Sequence, residues 1–315
     1  MLIGIDVGGT YTDGVIFNQG EIIASTKVPT SPNNIKATVL QVLDELLQQQ
    51  QTANVTRIVL STTVVTNLLA TGRGERTALL LVPGYGLPAD AYNISKDTYF
   101  LKGSIDFRGR EIEPLDQNEL VEVSQQVAEE GIERVAIAGK FGNRNDSQEK
   151  QIADYIKEKY PDTMVFYGSQ ISGKLNFPRR ATTTYYTAMT STEWKRFIDE
   201  IEQALAERGL ECEVHILKAD GGTVALDISR SMPCETVFSG PAASTMGALA
   251  LTLDNTNSVV VDIGGTTTDI ALLIDGVPLY ASKGASINSR YTHVNAFAVR
   301  SIALGGDSSI SLTAG

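Results

Sequence analysis

The sequence predicts an α/β protein of two domains, each a mixed sheet flanked by helices. Three observations carry that expectation. The 315 residues exceed the commonest size of one domain, strand-rich and helix-period segments alternate, and a glycine-rich hairpin occurs near both ends of the chain.

Residues 3–20 read IGIDVGGTYTDGVIFNQG, an apolar strand ending in Asp6, a Gly-Gly-Thr turn, a second strand and a further turn. Apolar residues then recur at helical spacing over 35–50, 118–130, 147–159 and 192–208. Strand formers fill 57–60, 77–82, 134–138, 163–167 and 213–217 between them. Ser239-Gly240-Pro241, followed by small residues through Ser244, predicts a helix start with close backbone packing. Residues 259–276, VVVDIGGTTTDIALLIDG, repeat the first hairpin 256 positions later, and Gly305-Gly306-Asp307-Ser308 forms a last glycine-rich turn at an expected helix start.

One segment invites a different reading. Gly168 to Lys174, GSQISGK, nearly spells the phosphate loop of P-loop proteins, but Leu175 offers no hydroxyl to a cation and Pro178 is expected to interrupt the helix that should follow. A plain loop between domains is expected there, dividing the chain into 1–172 and 173–315.

The repeated hairpins suggest phosphate chemistry. Paired glycines leave no Cβ in the way of a ligand, so successive N–H groups can converge on an anion, with threonine hydroxyls beside them. Candidate contacts are Gly8, Gly9, Thr10, Thr12 and Asp13 in the first copy, and Gly264, Gly265, Thr266, Thr267 and Thr268 in the second. A carboxylate beside a polyphosphate repels it unless a divalent cation intervenes, and magnesium keeps waters that carboxylates can hold. Asp6 and Asp262 suit that role.

Composition narrows the function. With 42% hydrophobic and 20% charged residues and a mean hydropathy of −0.04, the chain has a globular makeup. A net charge of −11 and a pI near 4.8 argue against nucleic-acid binding. Cys212 and Cys234 are too few for a disulfide framework and lack zinc spacing, and no basic leader or bilayer-length apolar run is present, so a cytoplasmic setting is expected. His215 reads as a strand residue, and His293 lies in a polar run without an evident catalytic partner.

The two hairpins resemble the phosphate motifs of the superfamily of actin, the sugar kinases and the heat-shock chaperones. Three further stretches are similar to the hydantoinase A and 5-oxoprolinase family: STTVVTNLLATGRGERTALLLVPGYG from Ser61, ISGKLNFPRRATTTYYTAM from Ile171, and GGTVALDISRSMPCETVFSGPAAS from Gly221. The resemblance implies two actin-like (ribonuclease H-like) domains clasping ATP and Mg2+, with Gly305, Gly306 and Asp307 against the adenosine. It also implies that the second domain is incomplete at Gly315, where relatives continue.

The activity so implied is ATP-dependent hydrolysis of a cyclic amide such as a lactam, hydantoin or oxoproline, its carbonyl oxygen being phosphorylated before water breaks the C–N bond. A second hydantoinase-type subunit is the implied partner. Leu60, Phe177, Ala298 and Arg300 stand where relatives carry groups able to act as base or ligand, which leaves substrate and base open. A small-molecule kinase, or an ATP-driven switch read by a protein partner, would share the same nucleotide residues.

Overall fold

The structure, a computed structural model, describes residues 1–48, 55–252, 256–265, 267–306, 308–309 and 311. Its first sheet grows from the first hairpin. Leu2–Val7 pairs antiparallel with Tyr11–Asn18, which pairs antiparallel with Glu21–Pro29. On the other side Arg57–Thr62 and then Glu213–Leu217 add in parallel, and Thr223–Ala225 completes six strands.

Strand alternation puts Ile3, Ile5, Val7 and Ile16 on one face, all at most 2% exposed. That face belongs to one core with the helices Ile35–Gln48 and Phe177–Glu207. Val39, Val42, Leu43 and Leu46 supply the stripe of the first helix at helical spacing, and Trp194, Phe197, Ile198 and Ile201 that of the second. Each such fully buried side chain contributes about 1.5–3 kcal/mol, so this layer fixes where the hairpin stands.

Glu213–Leu217 bonds to Arg57–Thr62 although the two lie on opposite sides of the boundary expected at residue 172. A division there falls between hydrogen-bonded strands of one sheet, a pairing across 156 residues that local sequence does not encode.

A second sheet is wholly parallel, in the order Met164–Tyr167, Arg134–Gly139, Ala78–Val82, Thr98–Phe100. Its Ala78–Val82 strand is continuously buried, as expected where helices cover both faces. Gln117–Glu129 and Ser147–Lys159 cover one face, and the start of Phe177–Glu207 covers the other.

Two expectations around this sheet are corrected. Residues 168–171 form a short helix rather than a plain loop. Pro178, expected to interrupt a helix, instead sits in the first turn of Phe177–Glu207, where its missing N–H has no intrahelical partner to lose. Asn176 caps that helix by accepting from the Arg179 N–H at 3.2 Å. The helix begins far ahead of the expected residue 192 because its threonine-rich first half looks unfavourable in isolation. Burial of Ala181, Tyr186 and Ala188 overrides that propensity, and Thr183, Thr184 and Thr190 bond to carbonyls four residues back. Gln50, the expected end of the first helix, lies outside the described residues; the helix runs to Gln48.

The second hairpin, Ser258–Ile263 against Thr268–Ile274, heads a third sheet with Val277–Pro278 and Arg300–Ile302. Ser239–Leu251 begins at the expected serine and packs between this sheet and Arg57–Thr62. The equivalents of Ile3, Ile5 and Val7 are Val259, Val261 and Ile263, which are 61%, 53% and 68% exposed. The same alternation thus faces a helix layer in one copy, whereas in the other the helix Ser239–Leu251 lies against the sheet but leaves these three side chains exposed. Among the described residues no helix is long and apolar enough to cross a membrane.

Candidate functional site

The two hairpins fold into the same turn. Gly8 N–H donates to the Tyr11 carbonyl at 3.1 Å, and Gly264 N–H to the Thr267 carbonyl at 2.8 Å. A Cβ on Gly8 would lie 2.6 Å from the Tyr11 carbonyl oxygen, so only glycine allows the strands to close there. Beyond the turns the register is also shared: Asp6 faces Asp13 and Asp262 faces Asp269 across their strand pairs.

Each turn-flanking aspartate is held by a serine from another element. Ser61, next to Asp6 on the adjacent parallel strand, donates its hydroxyl to Asp6 Oδ1 at 2.5 Å. Ser244, in the helix Ser239–Leu251, donates to Asp262 Oδ2 at 2.5 Å. Burial pushes the Asp6 carboxyl above its ordinary range; the Ser61 hydrogen bond opposes this, while the negative charges of Asp13 and Asp262 add to it. The two hairpins therefore bring Asp6 and Asp262 within electrostatic reach across 256 residues of chain.

The other sequence-selected residues fall into different settings. Gly9 and Thr10 are exposed at the tip of the first turn. Thr12, expected as a phosphate contact, is fully buried, and its hydroxyl lies 2.9 Å from that of Thr30. Its equivalent Thr268 is also buried and donates to the Leu304 carbonyl at 2.5 Å, so both threonines tie their hairpin to neighbouring chain. Asp13 is engaged by Lys27 at 2.8 and 2.9 Å. Gly264 is exposed, while Gly265 and Thr267 are partly so; Thr266 and Asp307 lie outside the described residues.

The last turn packs directly on the second hairpin. Gly306 N–H donates to the Gly264 carbonyl at 2.9 Å, and a Cβ on Gly305 would sit 2.4 Å from the Gly265 carbonyl oxygen. Ser308, Ser309 and Ser311, the described residues that follow, are not helical as expected.

The Thr-Thr-x-x-Thr-Asn block joins these parts. Thr62 N–H donates to the Ser239 hydroxyl, which donates back to the Thr62 carbonyl. Thr66 Oγ1 accepts from the Phe238 N–H at 2.9 Å, and Asn67 approaches Gly9. Sequence reasoning missed Ser61 and Ser244 as supports of the aspartates. The first was accessible in principle, since pairing 57–62 in parallel beside 2–7 sets Ser61 next to Asp6.

The departures from the family pattern have structural settings. Leu60 is fully buried in the first core, and Phe177 meets the Tyr92 ring edge-on at 5.2 Å. Ala298 N–H bonds to the Leu279 carbonyl at 2.6 Å, and Arg300 pairs with Ile270 on an exposed strand.

Residues 2–160 match the hydantoinase/oxoprolinase N-terminal region and residues 180–315 match hydantoinase/oxoprolinase. Among curated proteins the chain is 25% identical to caprolactamase subunit alpha of Pseudomonas jessenii, over 86% of this chain and 43% of that protein. It is 24% identical to the acetophenone carboxylase gamma subunit of Aromatoleum aromaticum, over 87% of this chain and 42% of that protein. The chain thus spans somewhat under half the length of these relatives. A nucleotide-free structure of acetone carboxylase, from work on ATP-dependent acetone carboxylation, superposes with a TM-score of 0.86 at 18% identity, covering 97% of this chain and 48% of that one. The fold is actin-like, as expected.

Proposed function

The chain belongs to the hydantoinase/oxoprolinase family, and from that premise we propose that it binds ATP with magnesium between its two hairpins and activates a cyclic amide for hydrolysis. The observation that carries the reading is the pair of aspartates, one from each hairpin, each held by a serine and close enough for Asp262 to raise the pKa of Asp6. The negative charge of Asp262 disfavours ionised Asp6, and a divalent cation between them would offset it.

The donor set fits magnesium. One oxygen of each carboxylate is held by serine, leaving the other to order the waters of a cation. When bound, the cation would supply charge neutralisation for the γ-phosphate. Gly8, Gly9, Gly264 and Gly265 would offer backbone amides to the phosphates, and Gly305 and Gly306 would bound the adenosine.

An amide carbonyl is a poor electrophile. Its oxygen would accept the γ-phosphoryl group while the bond to the β-phosphate breaks and ADP leaves, the amide N–H losing its proton. Water then adds at the carbon, the C–N bond breaks to free the amine, and a second water releases phosphate from the acyl phosphate. Relatives described as subunits support a partner chain for the later steps.

The test is calorimetric titration of ATP with magnesium into the chain, Asp6→Asn and Asp262→Asn. Loss of at least about tenfold in affinity, about 1.4 kcal/mol, is expected in each variant. Unchanged binding in both would overturn the two-hairpin clasp.

A further inference from the structure

A pocket of about 430 Å³ opens at the carboxyl ends of the parallel strands Leu2–Val7 and Arg57–Thr62, against the first Gly-Gly turn. Small ligands of open α/β sheets bind in this position, and the volume lies in the range of small-molecule sites. Gly8 and Gly9 form one wall, Asn67 and Leu68 another, and Phe197 of the long helix a third.

The lining mixes apolar side chains such as Val64, Leu68 and Phe197 with polar ones, and its four charged residues, Arg73, Glu193, Arg196 and Glu200, are two of each sign. Arg196 is met by Glu193 at 3.0 Å and Glu200 at 3.6 Å, which leaves one negative charge in excess on the helix side, and Arg73 of the lining is the opposite charge that balances it. Asn67 stands where the pocket meets the turn, its Nδ2 lying 3.6 Å from the place a Cβ on Gly9 would take. The same Nδ2 donates to Thr63 Oγ1 at 3.2 Å, which orients the side chain and leaves Oδ1 to accept.

We propose that this pocket seats the phosphoryl acceptor, a small neutral cyclic amide, with its N–H donating to Asn67 Oδ1. In a small lactam ring the N–H and C=O lie on the same edge, so a ring held through its N–H at Asn67 presents its carbonyl oxygen toward the adjoining Gly8-Gly9 turn. Asn67 is then the residue that reads the unsubstituted amide. The inference rests on the function proposed above, and it adds where the acceptor sits and which side chain recognises it.

The protein carries its own reporter. Trp194 is the single tryptophan of the chain and stacks on Phe197 with centroids 5.2 Å apart. Titrating 2-piperidinone while following Trp194 emission is expected to give a saturable change, with N-methyl-2-piperidinone binding at least about tenfold more weakly because Asn67 loses its donor. Asn67→Leu, checked for folding by thermal melting, is expected to erase that preference, and Asn67→Asp, which keeps an accepting oxygen, to retain it.

Equal binding of the two lactams, or an unchanged preference in Asn67→Leu, would overturn the assignment. A chain that binds ATP with magnesium in calorimetry but gives no lactam response removes the pocket proposal and leaves the nucleotide reading intact. Selective lactam binding without nucleotide binding does the reverse, and failure of both titrations overturns both.

Discussion

The Ser61 hydroxyl lies 2.5 Å from Asp6 Oδ1, on the neighbouring parallel strand. A hydrogen bond to a charged acceptor holds one carboxylate oxygen and favours the ionised form against burial. Ser61→Ala is therefore expected to weaken binding of ATP with magnesium roughly tenfold, since such a bond contributes about 1.5–3 kcal/mol. Calorimetry on Ser61→Ala and Ser244→Ala checks this; Asp6→Asn combined with Ser61→Ala should lose little more than Asp6→Asn alone.

The raised pKa of Asp6 gives binding a pH dependence. A cation needs the carboxylate, so affinity is expected to fall as pH drops toward and through the raised value, at a higher pH than an ordinary aspartate near 3.8 would set. The stability contribution has the opposite sense: without a cation, this group disfavours the folded state increasingly as pH rises from 3.8 through the folded value. Denaturant titrations with and without magnesium across that window, on the native chain and Asp6→Asn, separate the two effects.

His293 makes a second pH prediction. It is 6% exposed, with Nδ1 at 2.8 Å from the Ser172 hydroxyl, and burial depresses its pKa from 6.5 to about 4, with Arg180 and Lys174 nearby adding to the effect. The unfolded chain takes up this proton below 6.5 while the folded one resists until about 4, so stability is full above 6.5 and falls between these values, by up to about 3 kcal/mol. Urea unfolding at pH 7 and pH 4.5 measures the loss, and His293→Gln should flatten it.

Glycine substitutions separate close packing from helix propensity. At Gly305 a Cβ meets the Gly265 carbonyl oxygen at 2.4 Å, so Gly305→Ala must displace the last turn and is expected to reduce nucleotide affinity at least about tenfold. Gly247, in the helix Ser239–Leu251, has open space where an alanine methyl would stand, and Gly247→Ala is expected to stabilise by about 0.5–1 kcal/mol with binding unchanged. Calorimetry and thermal melts on both variants decide.

The site was legible where its parts are contiguous. Asp6 with Gly8 and Gly9, and Asp262 with Gly264, stand at fixed spacing because a hairpin needs its turn residues next to its strands. Thr12 and Thr268 show what spacing leaves open. Their spacing matches a phosphate contact, but strand alternation turns both hydroxyls inward, to Thr30 and to Leu304. Pro178 reads as a helix breaker until its place in the first turn is known.

By itself the sequence determined two equivalent hairpins, their acidic and glycine residues, and the α/β alternation between them, since each depends on period and turn chemistry within a short window. Tertiary structure alone decided which residues those hairpins meet. Ser61 and Ser244 reach their aspartates, and Glu213–Leu217 joins the first sheet, through contacts between segments far apart in the chain. Ile3 is buried and its equivalent Val259 exposed despite the same patterning, because local sequence fixes which face a side chain takes, whereas burial depends on what packs across that face.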